Sequence, residues 1–154
     1  MSVFTPDAGV LRHTRTAAHA ACFLCGASNP AGLKLDFVLE ADGSVHADVP
    51  CPRTLQSYED TLHGGVVAAL LDAAMTNGLF ALGVVAVTAR LSVRYVQPVR
   101  LDIPARVAAS VDRNRRGLFY CSAELTQNGR VAARASATFV TRLPIGSPPP
   151  PRMD

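Results

Sequence analysis

The sequence predicts an α+β domain in which an antiparallel sheet of about six strands wraps one long central helix, in the order β-β-α-β-β-β-β. Three observations lead there. Apolar and polar residues alternate over 33–40 and are followed by the turn pair Asp42-Gly43; a stretch free of Pro and rich in Ala, Leu and Val runs from 64 to about 82; and four β-rich segments separated by turn residues follow Gly83. The length of 154 residues suits one compact domain, and a composition of 49% hydrophobic and 18% charged residues excludes collagen, coiled coil and wholesale disorder.

Leu33, Leu35, Phe37 and Leu39 alternate with Lys34, Asp36, Val38 and Glu40, the period-2 pattern of a strand with one buried face. Asp42-Gly43 turns the chain into a second strand at 44–49, which Pro50 and Pro52 end. The length of the 64–82 stretch favours a helix. Strands follow at 84–96, closed by Pro98, at 105–111, and at 118–126 after a turn over 112–117; Asn128-Gly129 is a hairpin signal that leads into 131–141. Residues 1–21 read as an N-terminal extension without an element of its own, 22–142 as the domain, and 143–154 as a Pro-rich disordered tail. The N-terminus lacks the apolar core of a secretory signal, and the uncharged stretches 16–33 and 73–89 are broken by polar residues and Gly, so neither reads as a membrane span. Four Cys without an export signal read as reduced thiols in the cytoplasm.

The helix opens His63-Gly64-Gly65 and carries Asp72 as its only charge. Gly65, Ala69, Asp72 and Thr76 share one helical stripe, small, then acidic, then hydroxylic. Small residues let a ligand or a second backbone approach, and the free N–H groups at a helix start hold partial negative charge. A narrow polar stripe facing solvent is the plain alternative, but a carboxylate among apolar neighbours is costly unless paired or used. The rest of the helix is apolar nearly all round, so faces that the sheet leaves open need a second subunit, and a homodimer at least is expected.

The run from His63 to Asp72, with an acid nine positions after the His, resembles the central-helix motif of the hotdog-fold acyl-CoA thioesterases, in particular their phenylacetate-degradation (PaaI-like) group. Residues 88–98, ending Tyr-x-x-Pro, look like a strand of that family, and Cys22-Phe23-Leu24-Cys25-Gly26 with Asn29-Pro30-x-Gly32-Leu33 is similar to the opening of one subset of it. The resemblance covers roughly residues 22 to 142. It implies hydrolysis of an acyl-CoA to a free acid and CoA at a site built by two subunits, with no cofactor beyond the CoA of the substrate. It places the oxyanion donor on the Gly64 backbone N–H and the general base or nucleophile on Asp72 of the other subunit, and gives Thr88 a hydroxyl that helps hold the attacking water. Ser57 stands seven before the oxyanion glycine, where relatives often carry Asn or Gln. His63 and Gly65 flank the helix start, and His63 reads as a positioning residue, since no Ser or Cys nucleophile sits in an elbow. The other reading is a hotdog domain that binds acyl-CoA without turning it over, as sensor or carrier. The acyl group itself is not legible, and association as a dimer or as a dimer of dimers stays open.

The charge is concentrated. Fourteen of the 15 basic residues are Arg, and the span from Arg90 to Arg116 holds seven Arg and two Asp, a local +5 within a net +3. Arg113, Arg115 and Arg116 fall in one predicted turn, where the resemblance places the nucleotide end of CoA and where Arg forks suit phosphate oxygens. Without interleaved aromatics or a binding motif, the cluster does not read as a nucleic-acid site. Cys22-x-x-Cys25 supplies two thiolates where structural zinc takes four ligands. Cys51 with His19 or His46 could complete a set, but the spacing is no known finger pattern, and a redox motif normally opens a helix. The segment reads as a packed cap near the acyl pocket, and no metal is expected.

Overall fold

The computed structural model describes residues 5–141. Its elements are α1 (Ala8–Ala18), β1 (Val38–Leu39), β2 (Val45–Val49), α2 (Gly64–Phe80), β3 (Ala86–Tyr95), β4 (Ala105–Arg115), β5 (Leu118–Gln127) and β6 (Arg130–Thr141). The six strands form one antiparallel sheet in the order β1-β2-β4-β5-β6-β3, and α2 lies across its inner face, the wrapped-helix α+β architecture that the sequence predicts. No helix among the described residues is long and apolar enough to cross a membrane.

Strand alternation builds the core. Val45, Ala47 and Val49 of β2, Val107 of β4, Phe119 and Leu125 of β5 and Phe139 of β6 point inward and close over Leu70, Leu71, Ala74, Met75 and Leu79 of α2. The turn Asn128-Gly129 has φ of 52° and 72°, the left-handed pair that a two-residue hairpin needs.

Three expectations require correction. The extension at 1–21 is no tail over its described part: Asp7 caps α1 by accepting the Val10 N–H at 2.8 Å, Leu11 is buried against the core, and the Asp7 N–H donates to Ala81 O at 2.9 Å. The first strand shortens to Val38–Leu39, because Lys34 takes a φ of 51° and the N–H groups of Leu33 and Leu35 donate to Phe23 and Leu24 carbonyls instead of to β2. Leu35 and Phe37 keep the expected inward phase all the same. The turn expected at 112–117 is only Arg116-Gly117: a bulge between Val111 and Arg113 carries β4 on to Arg115. The Pro-rich tail at 143–154 lies outside the described residues.

A second bulge matters for the site. In the β3–β6 ladder, Leu91, Val93 and Tyr95 pair with the inward Ala137, Ala135 and Ala133, but Ala89 is an extra residue, so that Arg90 pairs with Thr138 and Thr88 with the inward Phe139. The odd-numbered positions face the helix on one side of the bulge, and Thr88 does so on the other.

Candidate active site

The start of α2 is built for a polar partner. His63 caps the helix with its side chain, Nδ1 accepting the Gly65 N–H at 2.9 Å. A Cβ on Gly65 would lie 3.1 Å from that imidazole, so the glycine is what lets the ring fold back over the helix end. No hydrogen bond among the described residues takes up the Gly64 N–H, and it is one of the orphan donors that every helix start leaves. Tyr95, at the end of β3, donates its hydroxyl to Gly64 O at 2.7 Å and fixes the strand against the helix start.

Beside Gly64 lies a cavity of about 390 Å³, lined by Ser57, Tyr58, Leu62, Val67, Tyr95 and Val99 among others. Its wall is mostly apolar, the character of a small-molecule pocket. Ser57 is part of the lining, its hydroxyl donating to Thr61 O at 3.3 Å.

Asp72 sits half-buried on α2, and the Thr88 hydroxyl donates to its Oδ1 at 2.6 Å. Among the described residues no cation pairs with this carboxylate. A charge-assisted bond of this length fixes the plane of the carboxylate and leaves Oδ2 free. Gly64 and Asp72 are eight residues apart, and at 1.5 Å per residue the helix separates them by about 12 Å. One reacting carbonyl cannot touch both within one chain.

The arginines are placed differently from the expectation. Arg113 and Arg115 belong to strand β4, not to a turn, and the Arg113 guanidinium stacks over the Tyr120 ring at 4.1 Å, across the ladder. Arg116 alone of the three is in the turn. The ladder row Asn114–Phe119–Phe139–Thr88 puts this hairpin tip at the Thr88 and Asp72 end of the sheet, whereas Gly64 adjoins Tyr95 at the other end. Asp72 and Thr88 therefore come together, as do Ser57, His63, Gly64 and Gly65, but one chain does not unite these two groups with each other.

Sequence reasoning gave no role to Tyr95, although its inward phase just before the strand end was the available signal. It also joined His19 to Cys22 and Cys25 only as one of two histidines that, with Cys51, could complete a set. His19 closes α1, its ring lies edge-on to Phe80 with centroids 4.9 Å apart, and its Nδ1 is 3.7 Å from Cys25 Sγ.

The chain matches the acyl-CoA thioesterase N-terminal domain family over residues 52–140, more than half of its length. A thioesterase superfamily protein of known structure is 26% identical, with a TM-score of 0.71 over 75% of this chain and 60% of its own, so this chain spans less than two thirds of that protein. A hypothetical thioesterase from Streptococcus pneumoniae, solved with coenzyme A, is 21% identical with a TM-score of 0.65 over 70% of this chain and 87% of its own. The E. coli PaaI protein of the phenylacetic acid degradation operon is 14% identical with a TM-score of 0.73 over 88% of this chain and 95% of its own. The last two likenesses are of fold. No curated protein matches the sequence.

Proposed function

The chain belongs to the acyl-CoA thioesterase N-terminal domain family, and from that premise we propose that it hydrolyses an acyl-CoA thioester to a carboxylic acid and CoA at a site shared by two copies of the chain. The observation that carries this reading is the 2.6 Å bond from Thr88 to Asp72, the one charge of α2, about 12 Å from the unpartnered N–H of Gly64.

The substrate carbonyl accepts the Gly64 N–H, with the helix dipole behind it. Asp72 of the second copy takes a proton from water through its free oxygen while Thr88 holds the other. The resulting hydroxide adds to the carbonyl carbon, the negative charge that develops on oxygen rests on the Gly64 N–H, and collapse of the tetrahedral intermediate expels the CoA thiolate. Asp72 then gives its proton to the CoA sulfur, and the carboxylic acid product loses its own proton to solvent. The cavity beside Gly64 takes the acyl group.

The exposed edge of the sheet supports the pairing. β3 is a ten-residue edge strand with Val87 49% and Tyr95 54% exposed, the kind of long edge that proteins normally cover. An antiparallel pairing of β3 with its own copy, centred on Ser92 and with Ala89 again left out of the count, sets the Thr88–Asp72 pair of one copy opposite the Tyr95–Gly64 pair of the other. The same pairing brings the Arg113–Arg116 hairpin of the second copy to the Gly64 cavity of the first, where its guanidinium groups meet the CoA phosphates.

Thiol release measured across short, medium, long and aryl acyl-CoAs identifies the substrate. With the best of them, Asp72→Asn lowers kcat by about 10²–10⁴-fold while the dimer persists in sedimentation. An Asp72→Asn protein of unchanged kcat overturns the assignment, and a wild type that binds acyl-CoA without releasing thiol returns the domain to a sensor or carrier.

A further inference from the structure

The turn after α1 gathers three soft donors that the proposed hydrolysis does not use. His19 ends the helix, the Cys22 N–H donates to His19 O at 3.1 Å, and the Gly26 N–H donates to Cys22 O at 2.8 Å. A side chain at Gly26 is excluded, since its Cβ would stand 2.4 Å from Cys22 N. This tight fold aims His19 Nδ1, Cys22 Sγ and Cys25 Sγ at one another, each within 4.8 Å of the other two, with Nδ1 to Cys25 Sγ at 3.7 Å.

We propose that His19, Cys22 and Cys25 form a binding site for one zinc-class divalent cation, with a solvent water as fourth ligand. Tetrahedral arms of about 2.3 Å to sulfur and about 2.0–2.1 Å to nitrogen require about 3.6 Å between nitrogen and sulfur and about 3.8 Å between the sulfurs. The Nδ1 to Cys25 Sγ distance of 3.7 Å already stands at that figure, and the remaining distances lie within 4.8 Å. Binding displaces the two thiol protons to solvent and leaves two thiolates and a neutral imidazole on a doubly charged ion, a centre without net charge. Among the described residues no fourth His, Cys, Asp or Glu joins the cluster, which leaves the open position of a His-Cys-Cys set. Solvent reaches that position from a cavity of about 300 Å³ on whose wall both His19 and Cys25 lie.

Through His19 against Phe80, the ion ties the end of α1 and the Cys turn to the last turn of α2.

The test is a Co²⁺ titration of the reduced full-length chain under nitrogen. The expected result is a thiolate-to-cobalt charge-transfer band in the near ultraviolet, with intense visible bands of tetrahedral cobalt, that saturates at one ion per chain and is displaced by Zn²⁺. His19→Ala, Cys22→Ser and Cys25→Ser each lose the charge-transfer intensity in whole or in part, while Cys51→Ala and Cys121→Ala keep it. A reduced wild type that develops no charge-transfer band overturns the site, as does full intensity in all three ligand variants. Because the titration of the wild type decides by itself, a variant that fails to fold does not shelter the proposal.

Discussion

Asp72 and Thr88 divide the work of one carboxylate between two oxygens. The 2.6 Å bond occupies Oδ1 and sets the plane of the group, so Oδ2 is left to accept a proton in a fixed direction. At the other end of the proposed reaction stands a backbone group, which no ordinary side-chain substitution removes. Gly64 is nevertheless open to a direct test, because it is the first residue of α2 and His63 before it has φ −59° and ψ 131°. That is the conformation a residue takes before proline, and proline is at home in the first helical position. An added Cβ there meets only Tyr95, at an ordinary 3.6 Å. Gly64→Pro therefore deletes one N–H and keeps the helix: kcat falls by about 10²–10³-fold with the circular dichroism unchanged. Cys121 offers a residue-scale prediction of another kind. Burial, and next the Asp112 charge, push its thiol from an ordinary 9.0 up to about 12. The folded chain then holds a proton that the unfolded chain gives up above pH 9.0, so this contribution to stability is complete below that pH and is lost as pH rises toward 12. In urea melts at rising pH, Cys121→Ala flattens the alkaline fall.

At the scale of elements, the readable features were those whose signal is local. The α2 stretch, the Asn128-Gly129 hairpin and the strands from β3 to β6 follow from composition and turn chemistry. α1 was hidden because its inward stripe is narrow: Leu11, Thr14 and the half-buried Ala18 alternate with Arg12, His13, Arg15 and Thr16. Tertiary contacts hold it, through the Asp7 cap, the Asp7–Ala81 bond, and Arg15 reaching Asp36 at 3.0 Å. Asp7→Ala is expected to cost about 1 kcal/mol, seen as a lower midpoint in denaturant unfolding without a change of slope. The upper end of β4 was taken for a turn because three Arg and two polar residues resemble a loop. A bulge at Asp112 keeps that segment in the ladder, and Tyr120 supplies a face for Arg113. The spacing offers His19 and His46 alike to the Cys pair, and it is the folding of α1 that delivers its C-cap His19 to the Cys turn.

For the whole molecule, the central question is how the start and the middle of one helix serve one carbonyl in the proposed reaction. The recognised motif named the groups, and the structure supplies the distance between them, about 12 Å along α2, which is the ground for proposing a second copy. Subunit mixing tests this without any structure of the pair. Asp72→Asn and Gly64→Pro chains are each inactive alone, yet a mixed dimer contains one site with both groups intact, so co-refolding the two restores thiol release. Continued inactivity of verified mixed dimers places both groups in the same chain's site and overturns the shared arrangement.

Ala89 makes no contact with the proposed chemistry, yet the phase of β3 hangs on it. It is the residue without a partner, and because of it Thr88 falls on the helix side of the strand together with Leu91, Val93 and Tyr95. Were the bulge straightened with Ala89 kept in the ladder, Ala89 would take the place opposite Phe139 and the Thr88 hydroxyl would turn to the outer face, away from Asp72. The strand is thus read in a frame, as a coding sequence is, and the contact between Thr88 and Asp72 depends on one residue that stands outside the count.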